Sequence, residues 1–146
     1  MNADTISPRI EAHLMEAGST GFLKQRIWAS RILTALSVLF LLMDGGMKVF
    51  KPPFVVEATV RLGYPQSTIV GIGAALLFCT VLYVLPRTAV LGAILLTGYL
   101  GGAVASNVRA ATPFFNVVFP GLFAVVVWAS LVLRDKRLES ILFKGE

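Results

Sequence analysis

The sequence predicts an all-α integral membrane protein, a bundle of four transmembrane helices. Of its 146 residues, 56% are hydrophobic and only 14% are charged, and the mean hydropathy is +0.79. A soluble domain carries about 25% charged residues because its surface faces water. The apolar residues fall into four continuous stretches of roughly 20 residues, the length that crosses a hydrocarbon layer of about 30 Å. These stretches lack the alternation of apolar and polar residues that is typical of transmembrane barrel strands.

Residues 1–26 are predicted to form a polar N-terminal tail in the cytosol. They lack a short apolar run followed by a cleavage site of small residues, so they do not resemble a secretory signal peptide. A short amphipathic helix is expected from Arg9 to Ala17, and Gly18-Ser19-Thr20-Gly21 is expected to end it.

The transmembrane domain is predicted over residues 27–134. Its spans are expected at about residues 27–50, 68–85, 88–108 and 114–133, and residues 135–146 are expected to form a cytosolic C-terminal tail. Pro86-Arg87 predicts a tight hairpin between the second and third spans. Residues 110–113 predict a short turn before the fourth span.

The connection between the first two spans is longer and has its own pattern. Pro52-Pro53 begins it, the stretch from Phe54 to Leu62 reads as an amphipathic helix, and Gly63-Tyr64-Pro65 ends it. A short helix of this kind is expected to lie in the membrane interface with its apolar side toward the lipid.

The distribution of basic residues predicts the orientation. Nine basic residues fall on the side that carries both termini: Arg9, Lys24, Arg26, Arg31, Arg87, Arg134, Lys136, Arg137 and Lys144. Four fall on the other side: Lys48, Lys51, Arg61 and Arg109. Cytoplasmic segments are enriched in Lys and Arg, so both termini are predicted to be cytoplasmic, in a bacterial inner membrane.

Small residues recur at helical spacing in the second and third spans. In lipid, small residues allow helices to approach closely. These rows predict tight packing of the two spans or, alternatively, a seam between two copies of the chain. Cys79 is interpreted as a packing residue rather than a reactive thiol. The rows comprise Gly71, Ala75 and Cys79, then Gly98, Gly102 and Ser106, and then the adjacent residues Thr97, Gly101 and Ala105.

Charged residues interrupt the first span. Only 12 uncharged residues separate Arg31 from Asp44, and they extend about 18 Å, less than the hydrocarbon thickness. Arg31 has a long side chain that reaches the headgroups. Asp44 does not, but Lys48 follows one helical turn later as a partner. This pair is interpreted either as an anchor or as part of a site.

Further polar residues fall at the depth of Asp44, in the outer half of the bundle. Tyr99, Asn107 and Arg109 lie on the third span or just after it. One hypothesis is a ligand pocket in which Asp44 and Lys48 set the charge, Tyr99 and Asn107 bind a polar head, and Arg109 favours an anionic one. The alternative is that these residues form no pocket and are polar only because they lie at the membrane interface.

Several kinds of chemistry are not expected of this chain alone. His13 is the only histidine and lies in the N-terminal tail, and Cys79 is the only cysteine. Haem ligation by two histidines, a zinc site of Cys and His, and a Ser nucleophile with a His base therefore lack their residues. No metal site and no intrinsic cofactor are predicted, and catalysis by this chain alone is not expected. The net charge of +5 is attributed to the membrane orientation rather than to nucleic-acid binding.

The sequence resembles the DoxX-like family of small bacterial membrane proteins over about residues 28–138. The likeness rests on Asp44-Gly45-Gly46-Met47-Lys48-Val49-Phe50, on Leu62-Gly63-Tyr64-Pro65, on residues 82–89 and on the run from Leu91 to Ala105. The resemblance implies a four-helix membrane bundle. It also implies an association of some relatives with quinol-oxidising, thiosulfate-oxidising or redox-stress complexes. Asn107 stands where relatives often carry a histidine, and Leu76 near a position where a glutamate is frequent. Proton or metal chemistry of those groups is therefore not expected here.

Three functional hypotheses follow. The first is an accessory membrane protein that binds a quinone or a lipid in the outer half of the bundle. The second is a subunit of a membrane redox complex, and the third is a small transporter that acts as a homodimer.

Overall fold

The computed structural model describes residues 7–134 and residue 138, with side chains described from Lys24 onward. The described residues are helical and contain no strand. The helices are α1 (Ser7–Phe50), α2 (Pro53–Arg61), a 3-10 turn (Gln66–Thr68), α3 (Ile69–Val84), α4 (Ala89–Arg109) and α5 (Phe114–Arg134). The predicted all-α fold is confirmed. The predicted C-terminal tail, apart from Leu138, lies outside the described residues.

Within the described residues, four helical segments are long and apolar enough to cross a membrane: Lys24–Phe50, Gln66–Val84, Ala89–Arg109 and Phe114–Arg134. Large apolar side chains on them point away from the bundle, and Leu39, Phe78 and Val125 are each more than 60% exposed. Exposure of apolar side chains on this scale is unfavourable in water, but it suits a surface that faces lipid. The structure therefore agrees with a multi-pass membrane bundle.

The four long helices close into a ring. Helix α1 packs against α3 and α5, and α4 packs against the same two helices from the opposite side. The interior is filled by a cluster of buried side chains from all four helices: Leu41, Leu76, Cys79, Tyr83, Ala89, Ala93, Leu96, Val127 and Leu131.

One end of the ring, here called the terminal end, holds the 85–88 turn and the last turn of α5. The Ser30 hydroxyl donates to the Ser130 carbonyl at 2.8 Å. The Tyr83 hydroxyl donates to the Val127 carbonyl at 3.1 Å and also contacts the Ser130 hydroxyl. These buried bonds set the register of α1, α3 and α5. The other end, here called the α2 end, carries α2 and the turn between α4 and α5.

Close helix contacts depend on three glycines. A Cβ atom at Gly92 would lie 2.3 Å from the Tyr83 backbone nitrogen, so α3 and α4 touch next to their hairpin. A Cβ at Gly73 would lie 2.7 Å from the Lys48 Cβ, and one at Gly45 would lie 2.8 Å from Leu77. Helices α1 and α3 therefore touch near the α2 end.

The glycines of the predicted small-residue rows lie elsewhere. A Cβ at any of them would meet nothing within 4 Å, which holds for Gly71, Gly98, Gly101 and Gly102. Of the other members, Cys79 and Ser106 are buried, whereas Ala75 and Ala105 are exposed. Helices α3 and α4 meet at the hairpin instead and leave space between them toward the α2 end.

Helix α1 is longer than the first predicted span. It runs without interruption from Ser7, so the helix break expected at Gly18–Gly21 is not present. Glycine costs about 1 kcal/mol relative to alanine inside a helix but keeps its N–H and C=O groups available for bonding. The composition of residues 18–21 therefore weakens the helix without ending it.

The predicted helix between the first two spans is present as α2. Pro52 precedes it in an extended conformation, and Pro53 occupies its first turn, where no backbone donor is needed. Gly63 ends this segment with a φ of +86°, a conformation that glycine adopts without strain. The chain then turns back over the bundle toward α3.

Candidate functional site

A cavity of about 390 Å³ opens at the α2 end of the bundle. It lies where α3 and α4 have separated, and the segment of residues 59–64, here called the cover, lies over it. Its lining residues come from α1, the cover, α3 and α4: Lys48, Thr59, Leu62, Tyr64, Ile72, Gly98, Tyr99, Gly102, Ala103, Ser106 and Asn107.

Lys48 reaches the cavity from α1. The close approach of Gly45 and Gly73 holds the base of its side chain against α3. Its ammonium group donates to Asp44, four residues earlier on the same helix. The Lys48 side chain is 17% exposed and the Asp44 side chain 32% exposed. Because Asp44 offsets the lysine charge, the pair adds no net charge to the cavity, while two ammonium hydrogens stay available.

Tyr99 contributes the least engaged polar group. Its ring is half-buried beside the interior cluster of the bundle. Its hydroxyl has no hydrogen-bond partner among the residues that the structure describes. A phenol hydroxyl both donates and accepts, so it is available to a ligand in either role.

Asn107 also lines the cavity, but its amide is partly engaged. Its Nδ2 donates to the Ala103 carbonyl at 2.9 Å, and its Oδ1 accepts from the Thr112 hydroxyl at 2.9 Å. Thr112 belongs to the turn in which Ala111 adopts a φ of +49°. Asn107 therefore stabilises the end of α4, and one Nδ2 hydrogen stays available to the cavity.

Arg109 lies outside the cavity and binds the cover. Its Nη2 donates to the Leu62 carbonyl at 2.8 Å, and its guanidinium carbon lies 5.9 Å from the centre of the Tyr64 ring. A Cβ at Gly63 would lie 3.0 Å from the same Nη2. The sequence predicts that Arg109 favours an anionic ligand; the structure places it where it holds residues 62–64 against α4.

Tyr64 and Ser106, two lining residues that bond to each other, are not among the predicted ligand-binding residues. The Tyr64 hydroxyl and the Ser106 hydroxyl lie 2.6 Å apart, and Ser106 also donates to the Gly102 carbonyl at 2.7 Å. This pair fastens the cover to α4. Ser106 follows Tyr99 by seven residues and so lies on the same helix face. That spacing could have identified Ser106 from the sequence, whereas the residues next to Tyr64 in the sequence do not indicate where its side chain points.

The small residues of α4 shape the cavity wall. Gly98 and Gly102 line it, whereas Gly101 does not, although a Cβ at any of the three would meet nothing within 4 Å. The α4 side of the cavity is therefore open because Gly98 and Gly102 have no side chains to fill it. Within the described range, no three His, Cys, Asp or Glu side chains come together as metal ligands would.

The sequence also places this chain among known proteins. No curated protein and no solved structure shows a significant match to it. The sequence profile of the DoxX-like family matches residues 32–130, which include every residue that lines the cavity. That match covers more than half of the chain, and the protein belongs to the DoxX-like family.

Proposed function

We propose that this protein binds a lipophilic ligand, a quinone or a lipid, with the polar head of the ligand in the cavity at the α2 end. The observation that carries the proposal is the cavity itself, whose volume of about 390 Å³ lies within the usual range for small-molecule sites. That space suits a head group and the first part of a tail, and the rest of the tail would extend into the bilayer.

The available polar groups favour a head that accepts hydrogen bonds. Lys48 and Asn107 offer N–H donors, and Tyr99 offers its hydroxyl. The hydroxyls of Thr59 and Ser106 already donate to backbone carbonyls. Carbonyl oxygens, as in a quinone or an ester-linked lipid, match this arrangement of donors.

The charge balance favours an uncharged head. The lysine ammonium is already paired with Asp44, and Arg109 is engaged with the cover. An anionic head would bring a second negative charge next to Asp44 in a partly buried site, where Lys48 balances only one of the two charges. Leu62, Ile72 and Ala103 supply apolar contacts for a tail.

The test fills the cavity from a position that tolerates a side chain. Gly98→Leu places a side chain on the cavity wall, whereas Gly101→Leu places the same side chain one turn away and outside the cavity. Small molecules that survive gentle purification are identified by mass spectrometry. Equilibrium binding of a decyl-substituted benzoquinone and of dioleoylglycerol is then measured for the wild type and both variants.

Gly98→Leu is expected to weaken binding by about tenfold or more. A tenfold change corresponds to about 1.4 kcal/mol, which lies within the usual cost of overpacking. Gly101→Leu is expected to bind as the wild type does. Equal binding by both variants would show that the cavity is not the binding site. A wild type that retains no ligand and binds neither probe would also contradict the proposal.

The proposed location is the bacterial inner membrane with both termini in the cytoplasm. The nine basic residues on the side of the termini, against four on the other side, support this orientation. The α2 end, and with it the cavity, would then lie in the outer leaflet.

A further inference from the structure

A second groove lies at the terminal end of the bundle, far from the cavity at the α2 end. Its volume is about 280 Å³, and two arginines from different helices line it: Arg31 of α1 and Arg134 of α5. The rest of the lining is Thr34, Ala35, Val38 and Val84. The groove therefore combines two cationic groups with a mostly apolar wall.

The position of the two arginines is set by buried contacts. Ser30 and Ser130 are almost fully buried, and the Ser30 hydroxyl donates to the Ser130 carbonyl at 2.8 Å. Arg31 directly follows the first of these residues, and Arg134 follows the second by one helical turn. The register of α1 against α5 therefore brings both guanidinium groups to the same groove.

Neither arginine has a carboxylate partner within the described part of the chain. The ion pairs seen there join Lys48 to Asp44 and Arg61 to Glu57, at the other end of the bundle. Two like charges that share a groove repel each other, and an anion between them relieves that repulsion. The planar guanidinium fork matches the oxygens of a phosphate group.

We infer that this groove binds the headgroup phosphate of an anionic phospholipid. The apolar side chains of Ala35, Val38 and Val84 would contact an acyl chain. Arg134 also borders a second groove of about 280 Å³, lined by Pro86, Ala89, Val90 and Leu131, which offers space for a second chain. Basic pockets between transmembrane helices are a recurrent site for acidic lipid headgroups. A free phosphate ion would leave both apolar walls uncovered, so the occupant is a lipid.

The experiment compares lipids that differ only in headgroup. The purified full chain is titrated with dioleoylphosphatidylglycerol or dioleoylphosphatidylcholine in a neutral detergent, and bound lipid is counted by native mass spectrometry. The variants are Arg31→Gln, Arg134→Gln and the double variant. The matched control is Arg87→Gln, because Arg87 is exposed at the same end but does not line either groove.

The wild type is expected to prefer phosphatidylglycerol. Each groove arginine is expected to contribute about fivefold to this preference, in keeping with the electrostatic attraction of one basic residue to an anionic lipid surface. The double variant is expected to lose the preference, and Arg87→Gln to keep it. Inorganic phosphate at the same concentration is expected not to displace the lipid.

Three results would overturn the inference. An equal loss in Arg87→Gln would show a general effect of surface charge. An unchanged double variant would remove the groove from lipid binding, and displacement by inorganic phosphate would identify a site for a free anion. None of these substitutions alters the lining of the cavity at the α2 end, so any lipid bound there is counted equally in every variant, and the difference between variants is independent of the proposed function.

Discussion

Tyr83 and Tyr99 show how differently one hydroxyl acts at two places in this bundle. Tyr83 is 1% exposed, and its hydroxyl bonds to α5 through Val127 and Ser130. Tyr99 lines the cavity, and its hydroxyl has no partner among the described residues. The first hydroxyl holds helices together, whereas the second is available to a ligand.

Tyr99→Phe is therefore expected to weaken ligand binding without destabilising the protein. A lost hydrogen bond of about 0.5–1.5 kcal/mol corresponds to a roughly two- to tenfold lower affinity. The midpoint of unfolding should stay unchanged, because no intramolecular bond is removed. Binding of the decyl-substituted benzoquinone and unfolding by sodium dodecyl sulfate, followed by circular dichroism, measure the two quantities.

Tyr83→Phe is the matched control, since it removes the same atom. It is expected to lower the free energy of unfolding by about 1 kcal/mol, because it breaks the bonds to α5, and to leave the affinity for the probe unchanged. The prediction for Tyr99 is wrong if the two variants behave alike.

At the residue scale, polar groups within an apolar span are recognisable from the sequence alone. Lys48, Tyr99 and Asn107 were named as ligand-binding residues, and the structure brings all three to one cavity; that they bind a ligand stays a prediction. Tyr64 was missed because its position depends on the fold of the cover over α4. Arg109 was named from its charge, but its contacts with Leu62 and Tyr64 depend on the same long-range packing.

At the scale of helices, the geometry of the cavity follows from where α3 and α4 touch. Gly92 lets the α4 backbone approach Tyr83 next to the hairpin. Six and ten residues further along α4, at Gly98 and Gly102, no neighbouring atom lies within reach of an added Cβ. The two helices therefore diverge from the hairpin toward the α2 end, and the space between them becomes the cavity.

Gly92→Ala is expected to be strongly destabilising. An added Cβ would meet the α3 backbone at 2.3 Å, and backbone cannot yield as a flexible side chain can. The expected loss in the free energy of unfolding lies at the upper end of the range of about 1–3 kcal/mol for overpacking. Gly71→Ala makes the same change on α3, where nothing lies within 4 Å. It is expected to be neutral or to stabilise the protein by about 0.5–1 kcal/mol.

The same detergent-unfolding measurement decides this prediction. If Gly92→Ala unfolds as the wild type does, then α3 and α4 do not touch at the hairpin, and the account of the cavity as a gap between diverging helices fails. The sequence could not identify Gly92 as the critical residue. Helical spacing shows which small residues share a face, but it does not show which face meets a neighbouring helix.

At the scale of the whole molecule, the four spans were predictable because their signal is local. Each span is a continuous apolar stretch of the right length, and all four are found as helices close to the expected bounds. The ring order of the helices and the cavity volume depend on contacts between distant residues, which a single sequence does not reveal. The continuity of α1 is the exception: the sequence predicts a separate short helix at Arg9–Ala17 and a break at Gly18–Gly21, whereas the helix continues through these residues.

The orientation is predicted from the same whole-molecule view. Cys79 is the only cysteine and is buried, so Cys79→Ser gives a background in which single reporters can be placed. Gln25→Cys lies on the side of the termini and Ser67→Cys on the side of α2; both positions are exposed, and neither substitution alters the charge balance. A maleimide that cannot cross membranes is expected to label Ser67→Cys in intact cells but Gln25→Cys only after permeabilisation, because the more basic side stays in the cytoplasm. The reverse pattern would place the cavity in the inner leaflet, where it would be filled from the cytoplasmic side of the bilayer.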